Sequence, residues 1–374
     1  MLDLVLQRLT LSGYATAQVM RPAAAMTRSP RVSVVVPCYN YGHFLPACVE
    51  SVLAQPDVDV DVLIVDDASP DGSGDVADAI AAGDPRVRVH RNATNLGHIA
   101  TYNLGFSQVD GEYVLLMSAD DLLTPGALSR AVHLMEHHPS VGFVYGWSID
   151  FSEEPPPPAR ERTRSWSVWN GMDWLEDNCR RATNVIRSSD AVIRRSVLER
   201  VGGYREELPH SGDHEWWMRA AQVADVGMVA GADQLYYRLH GTNMSCTQYA
   251  STLTNLHETR KAFGAALDGS VGGDPAELAA LRRTADRALA RKAVWLAVWD
   301  YMTGPEGDAN TVAYCDFALA LDPAIERSRS WRALQRRREA GLERARRLPA
   351  FRAREVMREL EGRAMWRRKR FSGV

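Results

Sequence analysis

Val32-Ser33-Val34-Val35-Val36-Pro37-Cys38-Tyr39-Asn40 is the stretch on which the fold turns. Its β-branched residues are stiff at χ1 and pack well on a pleated surface. A continuous apolar run of this length reads as a strand buried on both faces. Working outward, Phe44 to Gln55 has helical spacing through Leu45, Val49, Val52 and Leu53. A second strand is expected over Val60 to Val65, a helix over Asp75 to Ala82, a short strand at Val87 to Val89 and a helix over Ile99 to Phe106. Tyr113 to Met117 is a fourth strand, ending at Ser118-Ala119-Asp120-Asp121. This alternation predicts an α/β fold with a mostly parallel central sheet and helices on both faces. In such sheets ligands bind at the carboxyl ends of the strands.

Those ends carry the polar residues. Pro37-Cys38-Tyr39-Asn40 follows the first strand, Asp66-Asp67-Ala68-Ser69-Pro70-Asp71-Gly72 the second, and Ser118-Ala119-Asp120-Asp121 the fourth. Asn95-Leu96-Gly97-His98 lies just after the third. Any one of them is ordinary turn chemistry; their recurrence lines carboxylates and amides along one edge of the sheet. No Gly-x-Gly-x-x-Gly follows the first strand, and no phosphate-binding loop ending in Gly-Lys-Ser/Thr exists. A diphosphate must then be neutralised otherwise, and a carboxylate-held magnesium or manganese ion is the natural means.

Four segments together, Val34–Asn40, Ile64–Gly72, Asn95–Gly97 and Leu115–Asp121, resemble the family 2 glycosyltransferases of the GT-A fold, in order and in spacing. With the segment around Asp213 the resemblance covers roughly residues 31–247. It implies a Rossmann-like nucleotide-diphospho-sugar transferase domain, inverting chemistry and a divalent metal. By the same resemblance Pro37, Tyr39 and Asn40 would border the nucleoside. Asp67, with Asp66, would hydrogen-bond the base, most often uracil, and Asn95 and Gly97 would shape the adjoining loop. Asp120 would bind the metal, with Asp121 on the sugar side and Ser118-Ala119 completing the motif. Ser118 departs from the family's Asp-x-Asp pattern, which has an acid there. A hydroxyl still hydrogen-bonds ribose, but metal affinity is expected to fall, and a metal-weak or non-catalytic sugar-nucleotide-binding protein is the alternative.

Further on, Gly212-Asp213-His214-Glu215-Trp216-Trp217 looks like the family's acceptor-side helix start. Asp213 falls on the general base, whose task is to take the acceptor's proton as it attacks. An Asp there also suits a helix N-cap, and Trp216 and Trp217 read as packing. Tyr237-Arg238-Leu239-His240 resembles a family segment that returns to the diphosphate, offering Arg238 to phosphate and His240 to the metal. His98, His210 and His214 are weaker candidates. A nucleotidyltransferase of related fold would need a basic Gly-rich loop, and Tyr39-Asn40-Tyr41-Gly42-His43 has no Lys or Arg.

The remaining features set the domain plan. The chain's 374 residues suit one large domain and an appendage. The expected divisions are an N-terminal extension at 1–30, a transferase domain at 31–249 (nucleotide-sugar half 31–121, acceptor half 122–249) and a helical region at 250–374. Pro155 to Pro158 and the Arg- and Trp-rich stretch to Trp174 read as an irregular surface excursion. Asp274-Pro275 opens a helix carried by Leu278, Leu281, Ala285, Leu289, Leu296 and Trp299, and Thr311 to Leu321 forms another. Residues 324–374 hold 17 Lys/Arg against 6 Asp/Glu, a net +11, whereas the rest carries −14. A basic tail on an acidic body suits an anionic partner, a membrane surface among them, or simply a solvated Arg-rich helix; no nucleic acid is expected. Five cysteines without a Cys-x-x-Cys pair suit a reducing compartment. Without a signal peptide or a long apolar run, a cytoplasmic enzyme is expected, with membrane association through the basic tail as the alternative. The acceptor is not legible.

Overall fold

A computed structural model describes residues 17–24, 26–152, 154–243, 251–303 and 309–347. The amphipathic stretch from Leu2 to Leu9 and the basic tail beyond Arg347 lie outside the described residues, as do Ser245 and Cys246. The chain divides into two compact units.

The first unit is built on a ten-stranded sheet. Strands β2 (Arg31–Cys38), β3 (Asp59–Asp66), β4 (Val87–Arg91) and β5 (Tyr113–Leu116) alternate with helices α1 (Leu45–Leu53), α2 (Ser73–Gly83) and α3 (His98–Ser107). The β2–β3, β3–β4 and β2–β5 pairings are all parallel, as the alternation requires. The β2 run splits its residues by period two. Val32, Val34 and Val36 pack in one cluster with Leu45, Cys48, Val49 and Val52 of α1. On the other face, Val35 meets α3 at Gly105, where an added Cβ would stand 2.3 Å from Val35 Cγ1. Both faces are covered, so the strand is apolar throughout.

Beyond β5 the sheet becomes mixed. β6 (Leu122–Leu123) and α4 (Ala127–His137) lead to β7 (Val141–Phe151), then β8 (Ser165–Trp169), helix α5 (Gly171–Arg181), β9 (Val192–Arg194), α6 (Arg195–Val201), α7 (Gly212–Ala221) and β10 (Asp225–Arg238). The order is β1-β8-β10-β7-β9-β5-β2-β3-β4, with β1 at Gln18–Met20 and β6 pairing β10. β9 is antiparallel to both β5 and β7, and so joins the two halves. β10 runs parallel to β7 for most of its length, which carries its last residue, Arg238, back to the ends of β5 and β6. The expected surface excursion is corrected here. Ser165–Trp169 is a strand paired with β1 and β10, and Trp166, Trp169 and Trp174 are buried. Five residues after a proline- and arginine-rich run are too few to show their period, but their tryptophans bury too much apolar area to stay outside.

The second unit contains α8 (Thr252–Ala266), α9 (Pro275–Thr303), α10 (Ala309–Leu321), α11 (Arg329–Ala340) and α12 (Leu342–Arg347). Asp274 caps α9, its Oδ1 accepting from Ala276 N at 2.7 Å, with Pro275 at the first helical position. Leu278, Leu281, Ala285 and Leu289 are buried as expected. Trp299 is instead exposed beside a stacked Trp295, because Ala293 and Ala297 take the inward positions. Arg327, Arg329, Arg332, Arg336, Arg344 and Arg347 are exposed. Among the described residues, no helix is long and apolar enough to cross a membrane.

Gly105→Ala is expected to force α3 off β2 and to cost about 1–3 kcal/mol. The check is a urea melt, in which the midpoint falls while the slope stays constant.

Candidate active site

At the ends of β2 and β3 the backbone turns sharply. Asn40 (φ 61°) and Ala68 (φ 58°) both adopt the left-handed conformation, which a residue with a Cβ occupies at a cost. The Asn40 N–H donates to Ser69 Oγ at 3.0 Å, locking the two strand ends together. Asp66 and Asp67 are both buried, at 1% and 3% exposure. They serve different ends. Asp67 accepts from Asn92 Nδ2 (2.7 Å), Leu96 N (2.8 Å) and Gly97 N (3.0 Å), and so shapes the loop that includes Asn95. Gly97 sits at φ 83°, where a side chain would be strained. Asp66 Oδ1, by contrast, is buried without a hydrogen-bond partner, as is Asn40 Oδ1. Tyr39 beside them is 46% exposed. Pro37 stands in register with Val65 on the adjacent strand.

At the end of β5, Ser118 and Ala119 lead into Asp120 and Asp121, and the end of β10 with the residues just beyond it supplies their partners. Asp120 Oδ2 lies 2.9 Å from His240 Nε2 and 3.3 Å from Asn243 Nδ2. Asn243 Oδ1 accepts from His240 N at 2.6 Å and steadies the imidazole. The Tyr41 and Phe44 rings pack on the same imidazole, with centroids 5.5 and 5.2 Å away. Asp121 accepts from Arg238 N at 3.0 Å. Burial, and then the charge of Asp120, push its carboxyl well above the ordinary carboxylate range. The Arg238 side chain donates from Nε to the Asp120 carbonyl oxygen at 2.8 Å and pairs through Nη1 with Glu154.

A carboxylate and an imidazole facing one point suit a magnesium or manganese ion that completes its shell with phosphate oxygens and water. Among the described residues no group of three or more His, Cys, Asp or Glu side chains is arranged to hold a metal. The protein's share would therefore be Asp120 and His240, and the donor's diphosphate would supply further oxygens.

Asp213 lies in the first turn of α7, one residue beyond Gly212, and its Oδ1 accepts from His214 N at 2.6 Å. The cap residue is Ser211, not Asp213. Two side-chain links connect this helix start to the strand-end motifs. His98 Nε2 is 2.7 Å from Pro209 O, next to the Asn95–Gly97 loop. The second link runs through the 3-10 turn Ser188–Asp190. Ser189 Oγ accepts from Ser118 N at 3.0 Å and stands beside the Asp121 carboxyl. Ser188 stands beside the Tyr204 phenol, and Tyr204 packs against Gly212 at the helix start. Behind Asp213, Glu215 is fully buried and holds Arg219 (2.6 Å) and Arg205 (2.9 Å). Trp216 and Trp217 are core residues, packed against Phe143.

The turn Ser188–Asp190 and the Glu154 contact are absent from the sequence reading. Ser188-Ser189-Asp190 carries only a generic turn signal. Cys38 and Cys48 lie close by but are buried, and burial raises both thiols, so neither is a nucleophile.

Three comparisons bear on this arrangement. Residues 33–202 match the sequence profile of glycosyl transferase family 2. A Haemophilus influenzae protein described as an uncharacterized glycosyltransferase is 24% identical over 225 residues, covering 59% of this chain and 69% of the relative. Staphylococcus aureus TarS 1-349, solved in complex with UDP-GlcNAc, superposes at a TM-score of 0.58 and 18% identity, covering 84% of this chain and 89% of that one. The mannosyltransferase PcManGT of Pyrobaculum calidifontis, solved with GDP-Man and Mn2+, superposes at 0.55 and 18% identity over 95% and 91% of the two chains. At these identities the structural matches establish the GT-A fold.

One stability prediction follows from the turn. Asp190 is 4% exposed, with Oδ2 accepting from Ser148 Oγ at 2.8 Å and Oδ1 unpartnered. Burial raises its carboxyl to about 7. A raised folded value means that stability is full below the unfolded value near 4 and is lost as pH climbs to about 7. Asp190→Asn is expected to match wild type near pH 4 and to exceed it by on the order of 2 kcal/mol at pH 8. Denaturant melts at the two pH values provide the check.

Proposed function

We propose that the chain is a family 2 glycosyltransferase, as the match of residues 33–202 and its relatives support, and that it carries out an inverting transfer of a sugar from a nucleotide diphosphate donor, a UDP-sugar first, to an acceptor hydroxyl or amine. The observation that carries the reading is the Asp120–His240 pair, 2.9 Å apart at the end of β5. Bound there, magnesium or manganese would offset the charge developing on the departing diphosphate. The unpartnered Asp66 Oδ1 is an acceptor awaiting an N–H, as uracil N3 provides; Tyr39, Pro37 and Asn40 border the same place. A guanine base also presents an N–H there, so a GDP-sugar is the competing outcome of a donor panel.

The reaction is a single displacement. The acceptor oxygen attacks the anomeric carbon, its proton passes to the Asp213 carboxylate, and the bond from that carbon to the diphosphate oxygen breaks with its electrons on the phosphate. One displacement inverts the anomeric configuration. Ser118 in place of an acid removes one negative charge from the motif. Its hydroxyl is left to the ribose, while Ser189 fixes its backbone. We assign the work to a cytoplasmic enzyme. The exposed arginines of the second unit support an anionic surface as its docking partner.

The test is a panel of nucleotide-sugars with manganese, scored by released nucleoside diphosphate. Asp213→Asn is expected to lower turnover by at least about 100-fold while leaving donor binding intact. Asp120→Ala is expected to weaken donor binding only when metal is present. Binding of UDP with no release from any donor, under all metals, would convert the reading to a non-catalytic binding protein.

A further inference from the structure

Arg238 is 9% exposed, and its guanidinium is held between two aromatic rings and two hydrogen-bond acceptors. The Phe44 ring lies 4.9 Å from Cζ and the Phe151 ring 4.5 Å, so two aromatic faces enclose it. Nε donates to the backbone oxygen of Asp120, and Nη1 holds Glu154. The residue's own N–H is taken by Asp121 Oδ1. Arg238 thus touches both acids of the motif, its guanidinium the backbone of Asp120 and its main-chain N–H the carboxyl of Asp121.

Glu154 is the unusual member. Its carboxylate is 57% exposed, yet it pairs with an arginine side chain only 10% exposed. It stands at the start of the proline run Pro155–Pro158, whose far end is fixed where Arg160 pairs with the buried Asp233. The near end is fixed by Leu239 N donating to Phe151 O at 2.8 Å. The strap between these anchors meets the site through Glu154.

We propose that Arg238 is a positioning residue, which sets the Asp120 carboxylate toward His240, and that Glu154 on the proline strap is the counter-ion that keeps it there. Resemblance offers Arg238 to the donor phosphate. The geometry offers it to the peptide that carries the metal-facing acid. Removing a partner that orients a ligand commonly costs 10- to 100-fold in metal affinity, whereas removing a phosphate ligand weakens the nucleotide whether or not metal is present. Within this fold the strap therefore acts on metal affinity without touching the metal.

This inference rests on the metal reading above, and the experiment separates the two. UDP binding is measured by calorimetry with and without Mn2+ for wild type, Arg238→Met, Arg238→Lys and Glu154→Gln. Electron paramagnetic resonance counts free Mn2+ in the same samples, and a melt confirms each fold. Wild type is expected to bind UDP more tightly with Mn2+; equal binding with and without it would overturn the metal reading itself. Arg238→Met is expected to raise the Mn2+ dissociation constant at least tenfold, with metal-free UDP affinity within twofold of wild type. Arg238→Lys, which keeps the charge but not the fork, should recover little of the loss. Glu154→Gln should move Mn2+ affinity in the same direction by about threefold. Loss of metal-free UDP binding in Arg238→Met would make Arg238 a phosphate ligand, and unchanged Mn2+ affinity in a folded variant would remove the positioning role; either overturns the inference.

Discussion

The structure depends on keeping the Asp120 carboxylate fixed and reachable at the edge of a buried sheet. A carboxylate taken out of water is costly unless hydrogen bonds replace the lost solvent. Asp120 is 8% exposed, and its replacements come from His240 and Asn243, more than a hundred residues away in sequence. Strand β10 is the device that delivers them. It runs fourteen residues, Asp225–Arg238, alongside β7 and ends where β5 ends. β9 joins β5 to β7, and so fixes the register of the delivering strand relative to the strand that presents the acid. Asp121 meets the same constraint differently. It accepts from the Arg238 backbone N–H, with the Ser189 hydroxyl beside its carboxyl.

Several departures from local rules stand together at the strand ends. Asn40 and Ala68 hold left-handed backbone directly after β2 and β3. Asp66 Oδ1 and Asn40 Oδ1 remain buried without partners. Unpaired buried acceptors are expensive, and two of them stand here beside strained backbone. Elsewhere in the same unit one buried charge is paired on two sides. Glu215 satisfies Arg205 and Arg219 while Arg219 also holds the carbonyl of Gly203, and this network braces the helix that carries Asp213.

Much of this was readable from the sequence because it is local. The β2 run, the helices after it, the acids at strand ends and the Asp274 cap are each set by residues within one or two turns of one another. The candidate residues at the ends of β2, β3 and β5 follow from that. β8 was misjudged because five residues after a proline- and arginine-rich run show no period, although two buried tryptophans decide their place. The Ser188–Asp190 turn and Glu154 act through contacts at separations of 71 and 84 residues, and no periodicity or motif encodes such meetings. The exposure of Trp299 turns on which face of a 29-residue helix packs inward, which tertiary packing decides.

The central claim is that a divalent cation is held between the Asp120 carboxylate and the His240 imidazole against a nucleotide diphosphate. Pulsed electron paramagnetic resonance of Mn2+ with UDP and the protein tests it directly. The expected result is a nitrogen modulation from one directly bound imidazole that vanishes in His240→Ala, together with phosphorus couplings from UDP. Phosphorus couplings with no nitrogen modulation, or a modulation that survives in His240→Ala, would contradict it.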